Sequence, residues 1–126
     1  ELVIGGWVPG SGARRGQIGA LLLGYYEATG REANPRGGQL PLTYAGKAGT
    51  GFTAADLERL GELLAPLTIA YNPFSTCPPV TGAIFAQPVL VGEFAFTEWT
   101  KNNTLRHPSF KGLRTDKPAA DVVRES

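Results

Sequence analysis

The sequence predicts an all-β domain of small helix content, a five-stranded Greek-key barrel with one helix between its third and fourth strands and a short helix at its C-terminus. Three observations carry this prediction. The 126 residues include 17 glycines and 10 prolines, a composition that favours short strands joined by turns over long helices. One internal segment alone combines helical periodicity with a recognisable cap. That segment follows three strand-like stretches and precedes two.

ELVIGGWV, at residues 1–8, reads as the first strand, with Gly5 and Gly6 marking a bulge or a close backbone approach. PGSGARRG, at 9–16, is a glycine-flanked loop holding two adjacent arginines. IGALLLGYYEA reads as the second strand, with Leu21, Leu23 and Tyr25 on one face and Leu22 and Tyr26 on the other. TGREANPRGGQ is a turn-rich hairpin tip, and LPLTYAGKAG a third strand ending in glycines, which completes an antiparallel meander. The helix comes next. Thr53 is a good N-cap, and Asp56, three residues on, makes a partial capping box. Leu57, Leu60 and Leu64 recur along one face, with Leu63 and Leu67 widening the stripe and Pro66 at its end.

YNPFSTCPPVTGAIFAQP is too proline-rich for regular structure. PVLVGEFAFTEWT reads as one strand, Leu90, Phe94 and Phe96 facing one way and Val91, Ala95 and Trp99 the other. KNNT is a turn and LRHPSFKG the returning strand, where Pro108 implies an edge or a bulge. KPAADVVRES is a short terminal helix with a proline near its start. Three strands, a capped helix and two strands form the OB-fold order; small SH3-like barrels share the strand number but lack the helix.

A chain of 126 residues is one domain, large enough for a hydrophobic core. No apolar run approaches the roughly 20 residues that span a bilayer. The chain opens directly on a strand and contains no Met, which suggests a segment of a longer protein. Cys77 is the single cysteine, so neither an intrachain disulfide nor a Cys-cluster zinc site is expected, and a reducing, intracellular setting is the simplest reading. The net charge of +1 hides an asymmetry: residues 1–100 sum to −2 and residues 101–126 to +3. Such a local cationic stripe can serve nucleic acid, and it can equally be a solvated charged terminus.

Four segments together resemble the C-terminal OB-fold domain of ATP-dependent DNA ligases of the bacterial and archaeal type linked to end joining. They are ELVIGGW, YAGKAGTGF, EFAFTEWT and LRHPSFKGLRTDKP, in the expected order and spread over nearly the whole length of the chain. RTDK is similar to the family's sixth nucleotidyltransferase motif, R-x-D-K. The resemblance implies a domain that closes over nicked duplex DNA. It also implies that the domain swings onto the enzyme's own nucleotidyltransferase domain, where the motif orients the pyrophosphate of ATP. ATP and a divalent metal (Mg or Mn) belong to that full-length enzyme, with neither held by this domain alone. A cytoplasmic, nucleoid-associated monomer without membrane contact follows from the same resemblance. The family's nucleophilic lysine lies in K-x-D-G, which is absent here; Lys47 is followed by Ala-Gly-Thr. This segment should therefore form no lysine–AMP intermediate by itself.

Within that frame Arg114, Asp116 and Lys117 are the catalytic candidates. Arginine offers a planar fork to two phosphate oxygens and lysine a compact charge, while Asp116 would position one of them or orient metal-bound pyrophosphate. From spacing alone, an exposed charge cluster capping the terminal helix explains them as well. Arg14 and Arg15 occupy the loop between the first two strands, a usual nucleic-acid contact of OB folds, although a solvated tip would look the same. GKAGTGF places three glycines before the helix, where backbone N–H groups could hold a phosphate, although it is no P-loop. Lys47 and Thr50 are DNA-binding candidates there. Phe52 would pack on a sugar in the minor groove or staple the helix. Arg106 and Lys111 flank HPSF and complete the DNA-binding set.

His107 cannot build a zinc site alone and reads as a surface strand position, and no metal ligands are assigned. Trp7 and Trp99 read as core, and Glu93 and Glu98 as residues on opposite faces of one strand. Two other functions fit the fold. A freestanding single-strand-binding module would stack bases on Tyr25, Tyr26 and Tyr44. An mRNA-capping guanylyltransferase carries a similar terminal motif, but EFAFTEWT and RHPSFKGL resemble ligase sequences instead.

Overall fold

The computed structural model describes residues 1–10, 18–26, 42–70, 72–74, 82–101 and 104–114. Strands β1 (Leu2–Pro9), β2 (Ile18–Tyr25) and β3 (Thr43–Ala48) form the antiparallel meander, as the sequence predicts. Helix α1 (Ala54–Leu64) and a 3₁₀ turn (Ala65–Leu67) follow. Then come β4 (Thr68–Ile69), β5 (Ile84–Ala86), β6 (Val91–Ala95), β7 (Glu98–Trp99), β8 (Leu105–Arg106) and β9 (Ser109–Arg114). The five barrel strands are β1, β2, β3, β6 and β9, in the OB-fold order with the helix after the third.

β1 organises the barrel. One edge pairs with β2 along its length; the other pairs with β6 through Leu2 and Val3 and with β5 through Gly6 and Trp7. β6 in turn pairs with β9, and the ring closes where the Phe110 N–H donates to the Thr50 carbonyl at 3.0 Å. So small a barrel needs sharply curved strands, and bulges supply the curvature. The ladders skip Gly5 in β1, Gly19 in β2, Ala45 in β3 and Lys111 in β9. The expected bulge at Gly5 and Gly6 is present, and so is the close approach: a Cβ on Gly6 would lie 2.6 Å from the Ile84 carbonyl oxygen.

The helix forms for the reasons visible in its sequence. The Asp56 N–H donates to Thr53 Oγ1 at 3.0 Å and the Thr53 N–H to Asp56 Oδ2 at 2.9 Å, a complete capping box. Leu57, Leu60 and Leu64 are buried against the barrel. The core runs from Val3 and Ile4 through Leu21, Leu22 and Leu23 to Leu42, Leu60, Leu64 and Val91. β2 does not alternate: Leu21 to Tyr25 are all buried, because the strand lies between β1 and β3 with α1 packed against it.

Several expectations need correction. The proline-rich connection contains β5, which bridges β1 and β4. PVLVGEFAFTEWT is two strands, β6 and β7, interrupted at Phe96 and Thr97. The bulge opposite Glu93 and Phe94 puts Val91 and Phe94 both in the core, while Phe96 is exposed. LRHPSFKG is likewise broken, because His107 adopts φ 55 and turns the chain between β8 and β9. Glu93 and Glu98 therefore stand on separate strands. Trp7 and Trp99 pack against the core but are only partly buried. The hairpin tip at 29–39 and the terminal helix at 117–126 lie outside the described residues. Among the described residues no helix is long and apolar enough to cross a membrane.

Candidate nucleic-acid interface

The closing seam of the barrel carries most of the described cationic candidates. Lys47 is exposed on β3, next to Gly46, whose missing side chain faces the Leu105 backbone of β8. Arg106 follows Leu105 and is exposed. Two residues past β3, the Thr50 carbonyl accepts from Phe110, and the next residue of β9 is Lys111. Lys111 is the extra residue of the β9 bulge, and it is exposed because Phe110 and Gly112, not Lys111, hold the ladder with β6. Backbone register thus brings Lys47, Thr50, Arg106 and Lys111 to neighbouring segments, all from different parts of the sequence.

Gly51 makes this approach possible. It adopts φ +90, and a Cβ there would stand 2.5 Å from Ser109 Oγ and 2.7 Å from the Phe110 nitrogen. Phe52 then stacks on Phe110, ring centroids 5.2 Å apart and planes 24° from parallel. Its ring is partly buried, so Phe52 packs toward the barrel through β9. A cleft of about 240 Å³ opens between α1 and β9, lined by Asp56, Arg59, Leu60, Phe110 and Leu113.

Two arginines have carboxylate partners that sequence reasoning missed. Arg106 Nε lies 3.0 Å from Glu98 Oε1, across the β7–β8 hairpin, with both side chains more than half exposed. Arg114 Nη1 lies 2.6 Å from Glu1 Oε2, the two side chains being 36% and 22% exposed respectively. The alternation through FAFTEWT hides the break that places Glu98 in a hairpin opposite Arg106. The second pair joins distant ends of the sequence, and no local pattern signals it. Arg114 sits four residues beyond Phe110 on β9, roughly 13 Å along the strand from the closing seam. It is the last residue of β9, three positions beyond Lys111. Arg14, Arg15, Asp116 and Lys117 lie outside the described residues.

His107 is exposed at the β8–β9 bend, not on a strand. Tyr25 and Tyr26 are 2% and 4% exposed, which leaves neither ring face open for base stacking. Tyr44 is half-buried and meets Phe74 edge-on at 5.6 Å; burial pushes its phenol pKa up. Among the described residues no three His, Cys, Asp or Glu side chains gather into a metal-binding group.

The comparisons with known proteins agree with this architecture. A family model described as the ATP dependent DNA ligase C terminal region matches residues 14–117. The multifunctional non-homologous end joining DNA repair protein LigD of Mycobacterium tuberculosis is 40% identical over 99% of this chain, which spans 15% of that relative's length. The crystal structure of the M. tuberculosis LigD ligase domain superposes with a TM-score of 0.84 and 38% identity, covering 98% of this chain and 37% of that one. A mycobacterial DNA ligase D solved with ATP and MES gives a TM-score of 0.78 at 37% identity, covering 98% of this chain and 36% of that one. The chain belongs to the C-terminal region family of ATP-dependent DNA ligases, as one of its OB-fold domains.

Proposed function

We propose that this domain closes over nicked duplex DNA within an ATP-dependent ligase and supplies R-x-D-K, through Arg114, Asp116 and Lys117, to adenylylation of the enzyme. The observation that supports the reading most directly is the extent of the family match, which begins at Arg14 and ends at Lys117 and so takes in both cationic groups. Among the described cations, Lys47, Arg106 and Lys111 gather near the closing seam while Arg114 is the last residue of β9, which supports two separate contacts. Lys47, Arg106 and Lys111, joined by Thr50 and the Arg14–Arg15 loop, meet the DNA backbone. Arg114 and Lys117 meet pyrophosphate.

The guanidinium of Arg114 suits a phosphate oxyanion, and ATP bound to the nucleotidyltransferase domain supplies the leaving pyrophosphate and its divalent metal (Mg or Mn). That metal would be held together with ATP by the nucleotidyltransferase domain. The domain's partners are therefore nicked double-stranded DNA and the nucleotidyltransferase domain, in the cytoplasm at the nucleoid, and the isolated domain is monomeric and inactive. The single-strand-binding alternative is disfavoured, since Tyr25 and Tyr26 are buried.

Two assays on the full-length protein test this. Arg114→Ala or Lys117→Ala should slow enzyme–AMP formation by about 10²–10³-fold, the usual cost of one preorganised contact to developing charge. Sealing of a nick supplied already adenylylated should change far less. Replacing Arg14 and Arg15 should do the reverse. Equal losses in both steps for Arg114→Ala would assign R-x-D-K to folding or general DNA affinity. Incubating the isolated domain with radiolabelled ATP should leave no covalent label.

A further inference from the structure

The Glu1–Arg114 pair is not an accident of two loose surface chains. β6 lies between the strands that carry them: Val91 pairs Val3 of β1 on one side and Arg114 of β9 on the other, and Gly92 pairs Leu2. β1 and β9 are thus two strand spacings apart, about 10 Å. Only two long side chains reach each other across that gap. Glu1 is exposed as a residue, but its side chain is only 22% exposed, and its contact at 2.6 Å is a short charge-assisted one. A guanidinium is planar, so a carboxylate on its Nη1 group limits the directions in which the fork can point.

We propose that Glu1 is a positioning residue for Arg114, holding the guanidinium in the orientation in which it meets the pyrophosphate of ATP. The proposal rests on the role given to Arg114 above. It makes a distinct claim, that a residue at the start of β1 governs the first step of ligation by acting through the end of β9. Without the Glu1 carboxylate Arg114 would still carry its charge, but it would lose one of the contacts that orient it, and with it part of the preorganisation that makes such contacts effective.

The test measures enzyme–AMP formation in the full-length protein for Glu1→Ala, Glu1→Gln, Glu1→Asp, Arg114→Ala and the Glu1→Ala/Arg114→Ala double variant. Thermal melting of each reports folding. Glu1→Ala should slow adenylylation roughly 10-fold, the usual scale for removing a group that orients a reacting one. Glu1→Gln keeps the length and an accepting oxygen and should stay within about 3-fold of the parent. Glu1→Asp keeps the charge but is one methylene short, and it should behave like Glu1→Ala. In the Arg114→Ala background Glu1→Ala should add nothing, since the two act as a unit.

Normal adenylylation by Glu1→Ala beside a slow Arg114→Ala would overturn the proposal and leave the Arg114 role intact. So would a Glu1→Ala loss that multiplies onto that of Arg114→Ala, which would mark a structural effect. Retention by Glu1→Asp with loss in Glu1→Gln would show that charge alone matters and would also overturn it. If Arg114→Ala itself adenylylates at the parent rate, the parent reading fails and the positioning role falls with it.

Discussion

Replacing Gly51 by alanine should open the barrel at its closing seam. The residue sits at φ +90, a region that costs an L-residue about 1–2 kcal/mol. The new Cβ would lie 2.7 Å from the Phe110 nitrogen, against roughly 3.5–4.0 Å for an unstrained contact. The two segments must therefore separate by about 1 Å. The Phe110-to-Thr50 hydrogen bond, now 3.0 Å, would pass beyond useful range, a loss of about 0.5–1.5 kcal/mol. Together these terms come to about 1.5–3.5 kcal/mol. At about 3–5 °C per kcal/mol for a chain of this size, Tm should fall by about 5–18 °C. Gly61→Ala is the matched control. It lies within α1 and a Cβ there would meet nothing within 4 Å, so it should gain about 0.5–1 kcal/mol. Circular-dichroism melts and urea titrations of the isolated domain compare the three proteins. If Gly51→Ala melts within 2 °C of the parent, or if Gly61→Ala falls as far as Gly51→Ala, the closure argument is wrong.

Thr53→Ala should remove the side-chain half of the capping box and cost about 1 kcal/mol, read as a shift in urea midpoint at constant slope. Tyr44 links stability to alkaline pH: its raised folded value means that its contribution is complete below about pH 10 and is lost as pH rises beyond it. Tyr44→Phe should therefore flatten the alkaline fall in stability above about pH 10, and an unchanged profile would refute the assignment. Duplex DNA affinity of the domain should fall steeply with salt, by a logarithmic slope of about −0.9 per phosphate neutralised. Lys47→Ala and Lys111→Ala should each reduce that slope by about one, and a salt-independent affinity would remove both from the interface.

What could be read from the sequence was what is decided locally. The capping box at Thr53 and Asp56 and the leucine stripe at 57, 60 and 64 are set within two turns of chain, and the structure has both. Gly5 and Gly6 announced a bulge because no other residue fits so near a neighbouring strand. The breaks at Phe96 and His107 were hidden, since FAFTEWT keeps alternating and nothing in LRHPSF demands a positive φ at a histidine. β5 escaped because its three residues are held by strands on both sides, not by their own propensity.

The candidate interface divides the same way. The cations were legible as residue types, but their counter-ions were not, because Glu1 and Glu98 reach Arg114 and Arg106 only through the folded register. That difference has a physical consequence. Among the described residues no ion pair engages Lys47 or Lys111, so a phosphate can meet either one directly. A phosphate approaching Arg106 from its Nε side must share or displace Glu98, and the net gain there is the difference between two similar charge contacts, whereas Glu1 meets Arg114 through Nη1 and competes for that group of the fork. The lysines, which in sequence are the less specific of the two cation types, should therefore carry more of the non-specific DNA affinity than Arg106 does.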